Sequence, residues 1–193
     1  MEPLSDQELI QEVREGKRRA YTELMHRYQE RVYWVARRIV GGHEDADDVT
    51  QETFVKAFLA LGEFRGDSSF FTWLYRIAVN LSLNTIRKRQ VLSYLHESEL
   101  LGRFLPSHDD PSERVEQEET ATLLERAIAQ LPEKQRAVFV LRYHDELRYE
   151  EIAKILKTSI GGLKANYFHA LRKVREHLRN EIQTGEGPDH RKE

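Results

Sequence analysis

The segment FFTWLYRIAVNLSLNTIRKR, residues 70–89, carries side chains that together could hold unpaired nucleic acid. Trp73, Arg76, Asn80, Asn84 and Arg87 recur at steps of three or four, so on a helix they form one stripe. A ring stacks on bases, amides reach base edges, and cations hold phosphates. Leu74, Ile77, Ala78, Leu81 and Thr85 form a separate stripe suited to packing. Trp73 taken alone fits a core position equally well. The closing run Arg87, Lys88 and Arg89 also suits the negative end of a helix dipole. Directly before this helix, Arg65-Gly66-Asp67-Ser68-Ser69 is either a plain connecting turn or a loop that holds a flipped-out base.

A second candidate lies near the C-terminus, in RYEEIAKILKTSIGGLKANYFHALRKVREHL. Ile152, Ala153, Leu156 and Leu163 have the spacing of a helix-turn-helix, with Lys157, Thr158 and Ser159 as the turn. Ser159 is a suitable N-cap for the second helix. That helix offers Lys164, Asn166, His169, Arg172 and Lys173 on one side, while Leu163, Tyr167, Ala170, Leu171 and Val174 can face inward. A major groove admits one helix, whose polar side chains can reach bases and phosphates. A helical hairpin with a solvated basic face has the same pattern.

These helices need positioning elements, and the rest of the chain supplies helix-period stretches punctuated by few glycines and prolines. Ser5 and Glu8 form a capping-box pattern ahead of Leu9, Ile10 and Val13. Helices are expected from about Arg18 to Val40, stopping at Gly41-Gly42, from Glu44 to Leu61, and from Phe70 to Arg89. After the segment 93–116, which holds Gly102, Pro106 and Pro111, they are expected near 115–130, 133–144, 149–156 and 159–182. The expected fold is all-α: two small helical domains, 1–92 and 117–182, joined by an acidic linker, 93–116, with a disordered tail at 183–193. The second domain contains the helix-turn-helix.

The chain has 193 residues and a net charge of -3, which is no global nucleic-acid signature. The distribution of charge says more. Residues 93–120 hold eight acidic side chains against two basic ones, and residues 160–183 hold five Lys or Arg against two Glu. Such polarity lets one chain present DNA-facing and protein-facing surfaces together.

Several chemistries are excluded or poorly supported. With no cysteine there is no disulfide scaffold, no thiolate metal site and no Cys nucleophile. The eight histidines are scattered, no Walker loop or Gly-x-Ser-x-Gly motif is present, and adjacent Asp47 and Asp48 would point to different sides of a helix. No metal and no cofactor is expected. No signal peptide or membrane-length apolar run is visible, so the expected location is cytoplasmic, without membrane insertion. A hydrolase built on carboxylates and histidines is therefore disfavoured. A stand-alone helix-turn-helix regulator would use the C-terminal half but leave the aromatic stripe without a job.

Taken together, the segments ELIQEVREGKRRAYTELMHRYQERVYWVARRIV, EDADDVTQETFVKAF, FRGDSSFFTWLYRIAVNLSLNTIRKR and LPEKQRAVFVLRYHDELRYEEIAKILKTSIGGLK resemble the extracytoplasmic-function group of bacterial sigma factors. The resemblance covers nearly the whole chain except the linker and tail. It implies a transcription initiation subunit that partners core RNA polymerase and promoter DNA, held by an anti-sigma factor. Asp48, Gln51, Glu52 and Phe54 would contact the clamp coiled coil of the polymerase. Arg65, Gly66 and Ser68 would capture an unstacked base of the minus-ten element. Trp73, Arg76, Asn80, Asn84, Arg87 and Lys88 would lie on the melting and recognition helix. The minus-thirty-five element would be read by Ser159, Gly162, Lys164, Asn166, His169, Arg172 and Lys173. This chain departs from the family at Asn84, where Asp is common. It departs again at Gly161-Gly162-Leu163-Lys164-Ala165-Asn166, where Gly-Thr-Val-Lys-Ser-Arg is usual, and at His169, where Arg is usual. The resemblance therefore implies an upstream element different from the commonest one.

Overall fold

In the computed structural model, residues 3–97 and 117–185 are described, and among them every regular element is helical. The order is α1 (Asp6–Arg14), α2 (Arg18–Val40), α3 (His43–Ala60), a short 3-10 turn (Leu61–Glu63), α4 (Phe70–Glu97), α5 (Gln117–Ala129), α6 (Glu133–Phe139), a π turn (Val140–His144), α7 (Tyr149–Leu156) and α8 (Ile160–Gly185).

Local signals set several helix ends. The Ser5 hydroxyl accepts from the Glu8 N–H at 3.3 Å, and the Glu8 carboxylate accepts from the Ser5 N–H at 2.7 Å, closing the capping box of α1. Gly41 ends α2 in the left-handed region at φ 86°, where a side chain would be strained. Other ends differ from the sequence reading. Helix α4 continues through Glu97 rather than stopping near Arg89, because 90–97 hold no glycine or proline to break it. The expected domain end at 92 thus falls inside a helix. The expected single helix over 133–144 is α6 followed by the π turn. Helix α8 runs to Gly185, past the expected end at 182. Within the expected linker, 98–116 lie outside the described residues, as do 186–193 of the tail.

In the N-terminal half, α2, α3 and α4 pack on one another and α1 closes over α2. Leu24, Val32, Val35 and Ile39 of α2 meet Leu74, Tyr75 and Ala78 of α4 and Ala57 of α3, all without exposed surface. A smaller cluster of Ala36, Val40, Ala46, Val49 and Leu81 ties the same three helices together elsewhere. In the C-terminal half, Phe139, Leu141, Ile152, Ile155, Leu163 and Ala170 form the packed centre under α6, α7 and α8. Burying each large apolar side chain stabilises by about 1.5–3 kcal/mol.

The two halves meet along a seam where α4 packs on α7 and α2 touches α5 and α6. Apolar burial continues across it, but the polar contacts are imperfect. Arg136 of α6 donates to the Ile39 carbonyl at 2.9 Å, and also to the carbonyls of Leu131 and Ala129 in its own half. Its Nε has no partner. Nε of Arg87 reaches both carboxylate oxygens of Glu133, at 2.9 and 3.1 Å. Asp145 faces Arg31 and Arg38 of α2 and Tyr75 of α4, yet its Oδ2 is buried without a hydrogen bond. Burial pushes the Asp145 carboxyl up to about 6, against the pull of the two arginines. Burial, helped by Arg38, pushes neighbouring His144 down to about 4.

Two stability predictions come from this framework. Lys157 ends α7 at φ 50°, a conformation that costs a side chain about 1–2 kcal/mol and glycine almost nothing. Lys157→Gly should therefore raise the urea midpoint with an unchanged slope, and a lower midpoint would refute the strain. The Asp145 acid is held above its ordinary 3.8, so its contribution favours the folded chain fully below that value. That contribution is lost as pH rises through about 6, after which the ionised carboxylate carries a constant cost of at most about 3 kcal/mol. Asp145→Asn should raise the unfolding midpoint at pH 7 and leave it nearly unchanged at pH 4. Equal shifts at both pH values would contradict the assignment.

Candidate nucleic-acid interface

Helix α4 is buried along Leu74, Ala78, Leu81 and Ser82, so its opposite side is left to solvent. Asn80, Asn84, Arg87 and Lys88 are exposed on that side, and Arg76 is half-buried. The amide oxygen of Asn84 lies 3.5 Å from Nη1 of Arg87, so these two side chains form a continuous polar ladder. Ser82 and Thr85 return their hydroxyls to the carbonyls of Ala78 and Leu81, which leaves the ladder to the amides and cations.

At its N-terminus α4 opens onto the 65–69 loop. The Ser69 hydroxyl accepts from the Thr72 N–H at 3.2 Å and caps the helix. Gly66 takes φ 77°, a left-handed turn that exposes the loop backbone. Arg65, Gly66 and Ser68 line an open cleft of about 340 Å³ together with Phe64, Thr72 and Trp73. Trp73 is half-buried: its ring packs at 5.1 Å from Phe64 and 5.8 Å from Phe70, with part of its surface on the cleft. It therefore combines the two roles left open above, as a packing side chain and as cleft lining. Lys154 of α7 also lines this cleft, so the C-terminal half stands at its mouth.

Helix α3 presents a second surface. Asp48, Gln51 and Glu52 are exposed, with Glu52 paired to Lys56 at 2.9 Å. Phe54 does not join them. It is 4 % exposed, and its carbonyl accepts a hydrogen bond from buried Tyr21. Desolvation pushes the Tyr21 phenol up to about 12, as expected for a neutral hydroxyl inside the core. The expected role of Phe54 as a surface anchor is corrected accordingly: its side chain belongs to the buried core, and a partner cannot reach it without disrupting that core. The exposed apolar side chains of α3 are Val55, Phe58 and Leu59, the last 76 % exposed. Asp48, Glu52, Val55 and Leu59 follow steps of three or four and share one face. Sequence reasoning missed the three apolar residues because TFVKAFLA is apolar on nearly every side and only packing shows which side stays bare.

In the helix-turn-helix, Ser159 caps α8 as expected, accepting from the Gly162 N–H at 3.2 Å. A Cβ on Gly162 would lie 3.3 Å from both Ser159 Oγ and Thr158 Cγ2, so the turn is packed tightly against this glycine. Lys164, His169, Arg172 and Lys173 are exposed, and Asn166 is half-buried with its amide donating to the Gly162 carbonyl at 3.0 Å. Lys164 stands 5.8 Å from the Tyr149 ring centre, an aromatic platform on α7. Leu163, Ala170 and Val174 face inward as expected, whereas Leu171 is exposed. Phe168, 64 % exposed and beside His169, was missed. An apolar ring among polar groups on a groove-sized helix suits the methyl group of thymine.

Among the described residues, no group of three or more His, Cys, Asp or Glu could hold a metal ion, and no helix is long and apolar enough to cross a membrane. What these surfaces can do is bind: unpaired bases and phosphates along α4, a groove along α8, and a protein partner along α3.

Family models match two separate stretches of the chain. The family model for sigma-70 region 2 matches residues 24–91, and the model for sigma-70 region 4 matches residues 121–174. The ECF RNA polymerase sigma-E factor of Escherichia coli K12 is 38 % identical over 189 residues, covering 94 % of this chain and 96 % of that protein. The solved structure of CnrH in complex with the cytosolic domain of CnrY has a TM-score of 0.67 at 24 % identity, covering 91 % of this chain and 97 % of the other. The sigma factor RpoE of Bartonella quintana, solved with the anti-sigma factor NepR, has a TM-score of 0.65 at 21 % identity, covering 82 % and 96 %.

Proposed function

The chain belongs to the extracytoplasmic-function group of the sigma-70 family, transcription initiation factors that bind core RNA polymerase and direct it to promoters, and we propose a specific division of that work among its surfaces. It is not an enzyme in its own right: the polymerase supplies the chemistry, and this chain supplies recognition.

The N-terminal unit, ending with α4, binds polymerase and opens the minus-ten element. Asp48, Gln51 and Glu52 pair with cationic side chains of the polymerase, around Val55, Phe58 and Leu59 as the apolar centre. Arg65, Gly66 and Ser68 hold a flipped base in the cleft whose inner wall is Trp73. Arg76, Asn80, Asn84, Arg87 and Lys88 track the unpaired strand along α4. Stacking and pocket contacts offset the unstacking of the base, so no ATP is needed. The C-terminal unit, 117–182 with its helix extending to Gly185, lays α8 in the major groove of the minus-thirty-five element. Ser159 and Gly162 bring the α8 N-terminus to a phosphate, while Lys164, Asn166, His169, Arg172 and Lys173 reach bases and phosphates. Asn166 donates to Gly162, which leaves its amide oxygen as an acceptor for a base amino group. Phe168 adds an apolar contact. The observation that carries this reading is the exposed ladder Asn80-Asn84-Arg87-Lys88, on a helix whose N-terminus opens directly on the 65–68 cleft.

The seam adds a condition. Two elements about 25 base pairs apart lie roughly 85 Å apart on B-form DNA. With α7 on α4, the two units cannot read both elements at once. Arg87 is also engaged by Glu133, and Lys154 stands at the base-capture cleft. The described state is therefore the unengaged one, and docking on polymerase spreads the units apart. An anti-sigma factor, the kind of partner NepR is for RpoE, would hold the closed arrangement. The protein acts in the cytoplasm, where polymerase and promoters are.

Reconstituted transcription with core polymerase and a library of promoter fragments tests the whole reading: enriched fragments should share two elements at fixed spacing, and no enrichment would reject it. In the same assay Asn166→Ala and His169→Ala should change the preferred bases of the upstream element and leave the downstream one alone. Leu59→Ser should weaken binding to core polymerase by roughly tenfold, as expected of a central apolar anchor, with an unchanged thermal midpoint. Undiminished affinity would remove the apolar centre from the α3 contact.

A further inference from the structure

The entrance of the 65–69 loop is held from a distant part of the chain. Arg14, in the last turn of α1, donates through Nη2 to the Leu61 carbonyl at 3.3 Å and to the Phe64 carbonyl. The Phe64 N–H already donates to Leu61 at 3.2 Å, so the turn and its guanidinium clip form one unit. Phe64 is the residue that enters the loop. Its ring packs on Phe70 and Trp73, and its carbonyl is the last backbone group before Arg65. At the far end the loop is fixed by the Ser69 cap of α4. Between these two anchors lie Arg65, Gly66 and Ser68, with Gly66 in a left-handed turn. Arg14 is not among the residues lining the cleft.

We propose that Arg14 is a positioning residue for base capture: by fixing the Phe64 carbonyl it aims the Arg65–Ser68 segment, and so sets the affinity for the unpaired base without touching DNA. The proposal rests on the reading of this loop as the base-capture site. The physical reason is preorganisation. A loop pinned at both ends has little freedom left to lose when a base enters, whereas a loop released at its entrance must be ordered by the base itself. Arginine suits the task because the two N–H groups of one guanidinium nitrogen, Nη2, hold both carbonyls with charge-assisted bonds, in a plane fixed by the rest of the group. A lysine, as a compact point charge, would hold them less well. Arg14 is exposed and lies on α1 outside the buried clusters, so its loss changes the loop more than the fold.

The test uses the full chain assembled with core polymerase and a fluorescent single strand carrying the minus-ten element. The strand is either intact or has one abasic position moved stepwise through the element. The parent should lose affinity sharply at the position whose base enters the cleft. On the intact strand Arg14→Ala should bind about fivefold more weakly, and Arg14→Lys by a smaller factor, as preorganisation predicts. At the critical abasic position the parent and Arg14→Ala should bind alike, because the loop has no base to receive. At the other positions the fivefold difference should persist. Affinity for core polymerase and the thermal midpoint should be unchanged in both variants. A penalty for Arg14→Ala that stays in full at the critical abasic position would overturn the proposal while leaving base capture intact, and so would no penalty on the intact strand. If no abasic position weakens the parent, the base-capture reading falls and the role of Arg14 falls with it.

Discussion

Burial of α4 against α2 and α3 sets the geometry on which the other surfaces depend. The same 28-residue helix is the central strut of the N-terminal half and its candidate nucleic-acid surface. Its turn of 100° per residue decides which side chain does which. Leu74, Ala78 and Leu81 are fixed in the core, so Asn80, Asn84, Arg87 and Lys88 have no choice but to face out. The rigidity comes from apolar contacts among buried side chains, which no strand of DNA can compete for. Recognition groups held by such a core lose little freedom on binding. The cleft at the N-terminus of α4 inherits the same advantage, since Ser69 caps the helix and Trp73 packs on Phe64 and Phe70.

The seam is built on the opposite principle. It combines an apolar contact between α4 and α7 with polar groups that are only partly matched. Asp145 Oδ2 and Arg136 Nε are buried without hydrogen bonds. Each such atom costs about 1–3 kcal/mol relative to a satisfied or hydrated one. These costs are recovered when the seam opens and water returns. The Arg87–Glu133 pair is half-exposed on the arginine side, so it adds little net stability. A contact with this composition is weaker than a fully apolar or fully paired one of the same area. Such a contact is compatible with the proposed separation of the two halves on polymerase.

What the sequence disclosed was what local chemistry decides. Ser5 with Glu8, Gly41 and Ser159 are caps whose partners lie within four residues, and all three act as read. The polar stripe of α4 was legible because one face of its pattern is plainly apolar. Features decided by distant partners were hidden. Phe54 and Leu59 are both apolar residues on one helix, and only tertiary packing assigns Phe54 to the core and Leu59 to the surface. The extension of α4 to Glu97 had no positive signal, only the lack of a breaker. The π turn at 140–144 and the clip from Arg14 to residues 47 and 50 positions away had no signal at all.

Helix α8 shows how departures from a family's usual residues are absorbed by the fold. Where Thr is usual, Gly162 removes a side chain, and Ser159 and Thr158 stand so close that an added Cβ would sit 3.3 Å from each, nearer than ordinary van der Waals contact. The first turn of α8 is therefore closely packed and its cap is kept. Where Arg is usual, Asn166 turns back to bond its own helix at Gly162. The long, mobile cation is replaced by a short amide held in one orientation. Positive charge is retained on both sides of it, at Lys164 before and at Arg172 and Lys173 after, where phosphates would bind regardless of sequence. On the proposed reading, nonspecific attraction would thus be kept, while Asn166, His169 and Phe168 would add contacts to base edges. Specificity drawn from an amide, an imidazole and an aromatic ring favours different base edges from specificity drawn from arginines, whose preferred partner is guanine.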